Sequence, residues 1–240
     1  MIDLIHGDCL EKMIDMILCD LPYNVTQNKW DILIPFEKLW EQYNRIIKDK
    51  SCIALFGSEP FSSYLRMSNI KMYKYDWVWY KKRATLFQHA NKRPMNKYEL
   101  ISIFYKKAPT YNPIFLEGKP YKDNRVIRKI NSGLLSGNKT SKISIPIDNK
   151  GTRYPYNVLE NFYESKGVHP TQKPVALLEY LIKTYTNENE TVLDNCMGSG
   201  STGVACLNTN RNFIGIEKDD KYFKIAEERI NNIKNQVSLF

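Results

Sequence analysis

Apolar positions along the chain alternate between two spacings, one of short runs and one of helical stripes. Short runs end in loops at Asp20, near Phe56-Gly57, through Asp76–Tyr80, Glu99–Tyr105, Thr191–Asp194 and Phe213–Glu217, and each predicts a strand. Between them the spacing becomes helical. Phe36, Leu39, Trp40, Tyr43, Ile46 and Ile47 form a stripe over Pro35–Asp49, and a shorter helix is predicted over Pro60–Met67. Pro174 suits the first turn of a helix through about Thr184, which turns Leu177, Leu178, Leu181 and Ile182 inward. Asp219 or Asp220 can cap a last helix carrying Phe223, Ala226, Ile230 and Ile233. Strands that alternate with helices predict a mostly parallel, doubly wound, Rossmann-like α/β sheet. Between roughly Ala108 and Gly167 the pattern dissolves into Gly, Asn, Ser, Pro and Lys. That stretch reads as an insertion into a single domain spanning 1–240.

Length and composition narrow the reading without deciding it. At 240 residues and 42% hydrophobic content the chain can bury an ample core. No stretch is apolar enough for a membrane span and no basic-then-apolar leader opens the chain, so a soluble, cytoplasmic protein is expected. Five cysteines lie scattered without C-x-x-C spacing, which predicts reduced core thiols and no metal site. Charge is more informative. The net is +9, yet residues 71–153 hold 19 Lys+Arg against 5 Asp+Glu, a net of +14, and leave −5 for the flanks together. Twelve aromatics between Tyr73 and Tyr121 are interleaved with these cations. Cations neutralise phosphates and ring faces meet bases, so the segment has the composition of a nucleic-acid groove. A solvated lysine-rich surface over an aromatic core accounts for the same composition.

Three motifs carry candidate chemistry. Asp20-Leu21-Pro22-Tyr23 sets an acid, a rigid backbone and a ring at a strand end. An exocyclic amine is a poor nucleophile because its lone pair is delocalised into the base, so an enzyme that alkylates it must hold both N–H protons. Asp20 and the Pro22 carbonyl can be those acceptors, and Tyr23 can stack on a base withdrawn from its helix, an interaction worth about 1–3 kcal/mol. A strand followed by a proline turn explains the same four residues more cheaply. Further on, Val192–Asp194 runs into Gly198-x-Gly200-x-x-Gly203, with Glu217 placed 19 residues after Gly198 at the end of the next strand. This order suits a nucleoside-containing ligand whose ribose meets the acid. The glycines do not distinguish a nicotinamide cofactor from S-adenosylmethionine. Third, His169-Pro170-Thr171-Gln172-Lys173-Pro174 offers a hydroxyl and a cation beside a helix start, a grip for a carboxylate. Near the N-terminus, Gly7-Asp8-Cys9-Leu10 adds another acid.

Taken together and in this order, the motifs resemble the DNA amino-methyltransferases of the permuted β class, and the resemblance covers nearly the whole chain. Asp20–Tyr23 is similar to that family's D/N/S-P-P-Y catalytic motif, Asp194–Thr202 to its D-P-F-x-G-S-G-T-T loop, and His169–Pro174 to its H-P-T-x-K-P element. Leu21, Asn195 and Cys196 depart from it, standing where the family has proline, proline and phenylalanine, and the link from Leu10 to Ile14 is shorter than the family's. The resemblance implies an S-adenosylmethionine-dependent enzyme that methylates a flipped base in double-stranded DNA. Its leading Asp favours adenine N6 over cytosine N4. By the same likeness Asp20, Pro22 and Tyr23 are catalytic. Asp8, Cys9, Thr171, Lys173, Asp194, Cys196, Gly198, Ser199, Gly200, Ser201, Thr202 and Glu217 hold the cofactor, with Thr171 and Lys173 on its carboxylate and Glu217 on its ribose. Lys81, Phe87, Asn91, Arg93 and Glu99 lie in the family's segment beside the flipped base, and residues 108–168 stand where its target-recognition region is. DNA contacts are expected from Lys81, Arg83, Asn91, Arg93, Lys119, Lys122, Arg125, Arg128 and Lys129, and a homodimer is compatible with the family. Rival readings are a nicotinamide oxidoreductase, a DNA-binding protein with a decayed site, and methylation of RNA or of a protein glutamine.

Overall fold

The computed structural model describes residues 2–5, 14–23, 34–123, 126–129, 141–144, 147–163 and 172–237. The chain divides into two compact units, 1–112 with 156–240, and Pro113–Pro155.

The larger unit is built on an eight-stranded sheet. Along the chain come β1 (Ile2–Ile5), β2 (Ile14–Cys19), α1 (Phe36–Ile46), β3 (Ile47–Gly57), α2 (Phe61–Ser68), β4 (Tyr73–Thr85), a 3-10 turn at Phe87–His89 and β5 (Asn96–Phe104). The smaller unit contributes β6 (Leu116–Glu117), β7 (Tyr121–Asp123), β8 (Val126–Lys129), β9 (Ser141–Ser144), β10 (Ile147–Asn149) and β11 (Thr152–Arg153). Then follow β12 (Val158–Leu159), α3 (Val175–Tyr185), β13 (Thr191–Asp194), α4 (Ser201–Asn208), β14 (Asn212–Ile216) and α5 (Asp220–Val237). Strand order in the sheet is β1-β14-β13-β2-β3-β5-β4-β12. Among the described strands of this sheet only β5 runs antiparallel to its neighbours, β3 and β4. The carboxyl ends of the others therefore share one edge, joined there by the amino end of β5.

Alternation along the strands explains why helices cover both faces. Met16 and Leu18 of β2, Cys52, Ala54 and Phe56 of β3, and Ile101 and Ile103 of β5 pack with α3, α4 and α5. Their sequence neighbours Ile17, Cys19, Ile53 and Leu55 face the opposite way, against α1 and α2. Two apolar layers of this kind are what a doubly wound sheet requires. Where the stripe over Pro35–Asp49 predicts helix to Asp49, the helix stops at Ile46 and β3 begins at once, because Ile47 already pairs with Ile14. Strand pairing overrides helical spacing there. No described helix is long and apolar enough to cross a membrane.

The smaller unit consists of three two-stranded antiparallel pairs, β6 with β11, β7 with β10 and β8 with β9. Its bounds are narrower than the 108–168 expected for an insertion. Val158 and Leu159 pair with Val78 and Trp79 in the large sheet, and Asn112 donates to the carbonyls of Lys183 and Thr186 at the end of α3.

Candidate functional site

Parallel pairing brings the first two motifs together. Val192 and Leu193 of β13 lie opposite Met16 and Ile17 of β2, so both strands deliver their last residues to the same edge. Just beyond them, the Cys19 thiol lies within hydrogen-bond reach of Cys196 and of Asp194, and burial followed by those neighbours raises its pKa well above an ordinary thiol's. The third motif touches both places. Lys173 ion-pairs with Asp20, and its neighbour Gln172 accepts a hydrogen bond from Ser199 Oγ at 3.4 Å. Asp20 and the glycine turn, 178 positions apart from Asp20 to Gly198, thus meet at the carboxyl edge, where the ligand crevice of such sheets usually lies.

The glycine turn is held from below. Asp194, 4% exposed, accepts from the Cys196 N–H at 3.1 Å and from Thr202 Oγ1 at 2.6 Å. Burial, only partly offset by those two bonds, pushes its carboxyl up to about 6. Glu217 accepts from the Gly198 N–H at 2.9 Å and from the Asp219 N–H at 2.8 Å. Gly200 initiates α4 with φ +77°, and a Cβ there would lie 2.9 Å from the Cβ of Ala226. Gly198, at φ +52°, has nothing within 4 Å of a Cβ position, so its backbone presents an open face. Arg229 of α5 donates to Ser199 and Ser201, tying the turn to the last helix. Asn195, which stands where a proline was expected, accepts from Tyr43 Oη of α1 at 2.6 Å.

At the other end of the crevice, Tyr23 donates to Asp20 and stacks on Phe61, with ring centroids 4.8 Å apart and planes inclined by 29°. Burial and the adjacent Asp20 carboxylate raise the phenol's pKa well above its ordinary value, so it stays a donor. Lys173, 9% exposed, lies over the Phe56 ring and also 3.3 Å from Glu99 Oε2. Burial alone would lower its pKa, but Asp20 and Glu99 outweigh it and hold the ammonium at about 12. Glu99 in turn binds Lys81 at 2.7 Å.

A comparison with known families and structures gives this arrangement a place. The N6/N4 methyltransferase family model, described as DNA methylase, matches residues 14–228. The chain belongs to the DNA methylase family. Among curated relatives, DNA adenine methyltransferase YhdJ of Escherichia coli (strain K12) is 28% identical, over 95% of this chain and 82% of that protein. Type II methyltransferase M.HpaI of Haemophilus parainfluenzae is 26% identical, over 92% of this chain and 69% of its own length. The solved structure of M1.HpyAVI with SAM shares 26% identity and superposes with a TM-score of 0.61, covering 95% of this chain and all of that one. The cytosine-N4-specific PvuII DNA methyltransferase, at 16% identity and TM-score 0.64 over 98% and 92% of the two chains, shows the same fold.

Several expected positions of this DNA methylase lie outside the described residues: Asp8, Cys9, Thr171 and Arg125, and the side chains of Arg128 and Lys129 in β8. Arg83, Asn91, Arg93, Lys119 and Lys122 are exposed. Lys81 is not. Its side chain is 15% exposed and turned onto Glu99, so the structure gives it an inward ion pair where a DNA contact was expected. Lys173, expected on a cofactor carboxylate, here lies between two acids of the chain itself. Phe61 and Phe56, which floor the site beneath Tyr23 and Lys173, carried no signal because each reads as ordinary core. Glu99 did carry one, as the only acid between Asp76 and Glu117 in a strongly basic stretch.

Proposed function

We propose that this DNA methylase transfers the methyl group of S-adenosylmethionine to N6 of an adenine flipped from duplex DNA. The observation that carries the reading is the meeting of Asp20 and Tyr23 with the 194–202 turn, bridged by Gln172 and Lys173. Resemblance to a relative named as a DNA adenine methyltransferase supports N6 over cytosine N4.

The residues of the turn fit the cofactor. Gly198 leaves an open backbone face, Gly200 adopts a conformation that side chains resist, and Glu217 keeps lone pairs for ribose hydroxyls after accepting one N–H on each oxygen. Asp194, Cys196, Ser199, Ser201 and Thr202 shape the same wall, with Asp8, Cys9 and Thr171 proposed to complete it. When bound, S-adenosylmethionine supplies a methyl group already activated on a sulfonium. Asp20, as a carboxylate, then accepts one amino N–H and the Pro22 carbonyl the other, which directs the nitrogen lone pair out of the base plane. Tyr23, backed by Phe61, offers a stacking face. Alignment of reacting atoms of this sort supplies up to about 7–11 kcal/mol of a barrier.

Exposed Arg83, Asn91 and Arg93 around the β4–β5 hairpin, with Lys119 and Lys122 of the smaller unit, are proposed to contact phosphates and base edges, as are Arg125, Arg128 and Lys129. In this reading residues 108–168 contain the target-recognition region. Incubation of the protein with duplex DNA and methyl-labelled S-adenosylmethionine, followed by digestion to nucleosides, should yield labelled N6-methyladenine. Label in N4-methylcytosine would shift the assignment to that base, and folded protein that labels neither would end it.

A further inference from the structure

Lys173 has little freedom, and its surroundings are acidic. It precedes Pro174, which restricts its backbone to extended conformations at the entry to α3. The residue is 9% exposed, and its ammonium lies over the Phe56 ring, 5.0 Å from the centroid. That ammonium donates to Asp20 Oδ2 and lies 3.3 Å from Glu99 Oε2. Burial would raise the pKa of Glu99, but Lys173 and Lys81 outweigh it and hold the carboxyl below its ordinary range, so Glu99 is a second negative charge on the same cation. Lys81, bound to Glu99 Oε1 at 2.7 Å, completes a cluster in which two cations face two acids.

Such a cluster does not suit a cofactor carboxylate. A third acid brought to Lys173 would meet two like charges across a partly buried space, where repulsion is weakly screened, and the four groups hold no positive charge in excess to offset it. The same cluster does suit Asp20. Tyr23 donates to Oδ1 and Lys173 to Oδ2, so the plane of the carboxylate is held from both oxygens while each keeps a free lone pair. With its side chain 28% exposed against 10% for Lys173, Asp20 is the member of the pair that meets an arriving ligand. We infer that Lys173 is a positioning residue for the target base: it fixes the Asp20 carboxylate so that a free lone pair faces the amino N–H, and it does not hold the carboxylate of S-adenosylmethionine. Glu99 and Lys81 keep the ammonium in place and paired. The inference rests on the methyltransferase reading proposed above and moves Lys173 from the cofactor to the base.

Lys173→Met keeps an apolar stem and removes the charge. On target duplex it should slow single-turnover methylation roughly a hundred-fold, the scale set by misplacing a reacting group by about an ångström. The dissociation constants for S-adenosylmethionine and for its decarboxylated analogue should both stay within about two-fold of wild type. A grip on the cofactor carboxylate would show instead as a wild-type preference for S-adenosylmethionine over the decarboxylated analogue that the variant loses. That result, or a wild-type methylation rate in Lys173→Met, would overturn the inference while leaving the protein a methyltransferase. Wild-type protein that methylates no DNA would defeat the underlying reading instead. Should Lys173→Met fail to fold, a crystal structure of the wild type with S-adenosylhomocysteine decides: Lys173 on Asp20 with the ligand carboxylate elsewhere supports the inference, and Lys173 hydrogen-bonded to that carboxylate refutes it.

Discussion

Asp194 has two duties that pull against each other. As an acceptor it fastens the turn through Cys196 and Thr202, and as a buried charge it disfavours its own ionised form. Because its carboxyl is pushed up to about 6, above the usual value near 3.9, the folded protein binds this proton more tightly than the unfolded chain. The associated stability is complete below about pH 4 and is lost as the pH rises through about 6. Asp194→Asn cannot ionise, so its melting temperature should gain on the wild type by several degrees between those two pH values. Parallel melting curves across that window would contradict the assignment. At this scale the sequence exposed the acid and the glycines but not their partners. Nothing local predicts that Glu217 would brace Gly198, or that Asn195 would reach Tyr43, since each bond joins elements distant in the chain.

The hairpin of β4 and β5 is the element that links the crevice to the basic surface. Its root holds Lys81 and Glu99 beside the site, and its tip turns through Leu86, at φ +68°, into a 3-10 turn that leaves Phe87 79% exposed in a stretch of sequence that also exposes Lys82, Arg83, Lys92 and Arg93. A ring so displayed at the edge that carries Asp20 is suited to wedge into a base stack. Phe87→Ala should weaken binding to target duplex by roughly ten-fold, with melting temperature unchanged because the ring buries little. Unaltered DNA affinity would remove Phe87 from the interface. Apolar runs announced both strands, though shorter than they are, because their outer ends are polar and their register is interrupted between Tyr80 and Thr85. Ile2–Ile5 and Val158–Leu159 were invisible for a different reason. Each is a strand only because β14 or β4 offers it a partner.

For the molecule as a whole, the order of motifs along the chain matters less than the order of strands in the sheet. The acid motif comes early and the glycine turn late, yet β2 and β13 are neighbours, so permutation leaves the crevice intact. That adjacency was readable from the family resemblance, and the alternating apolar pattern alone would have left it open. The smaller unit showed only as a loss of pattern, because strands of two to four residues are too short to register as periodicity. Nine Lys+Arg against three Asp+Glu in residues 113–155 fit a phosphate-facing surface. Substituting Lys119 and Lys122 together by Ala should lower the slope of log affinity against log salt by about one for each phosphate left without its cation, and an unchanged slope would place both lysines off the DNA. Whether Asp20 and the 194–202 turn form one methyl-transfer site is tested most directly by single-molecule sequencing of genomic DNA from cells expressing either the wild type or Asp20→Ala. N6-methyladenine should appear at one recurring sequence with the wild type and be absent with the variant, which should still bind S-adenosylmethionine. Equal methylation by the two proteins would contradict a shared site.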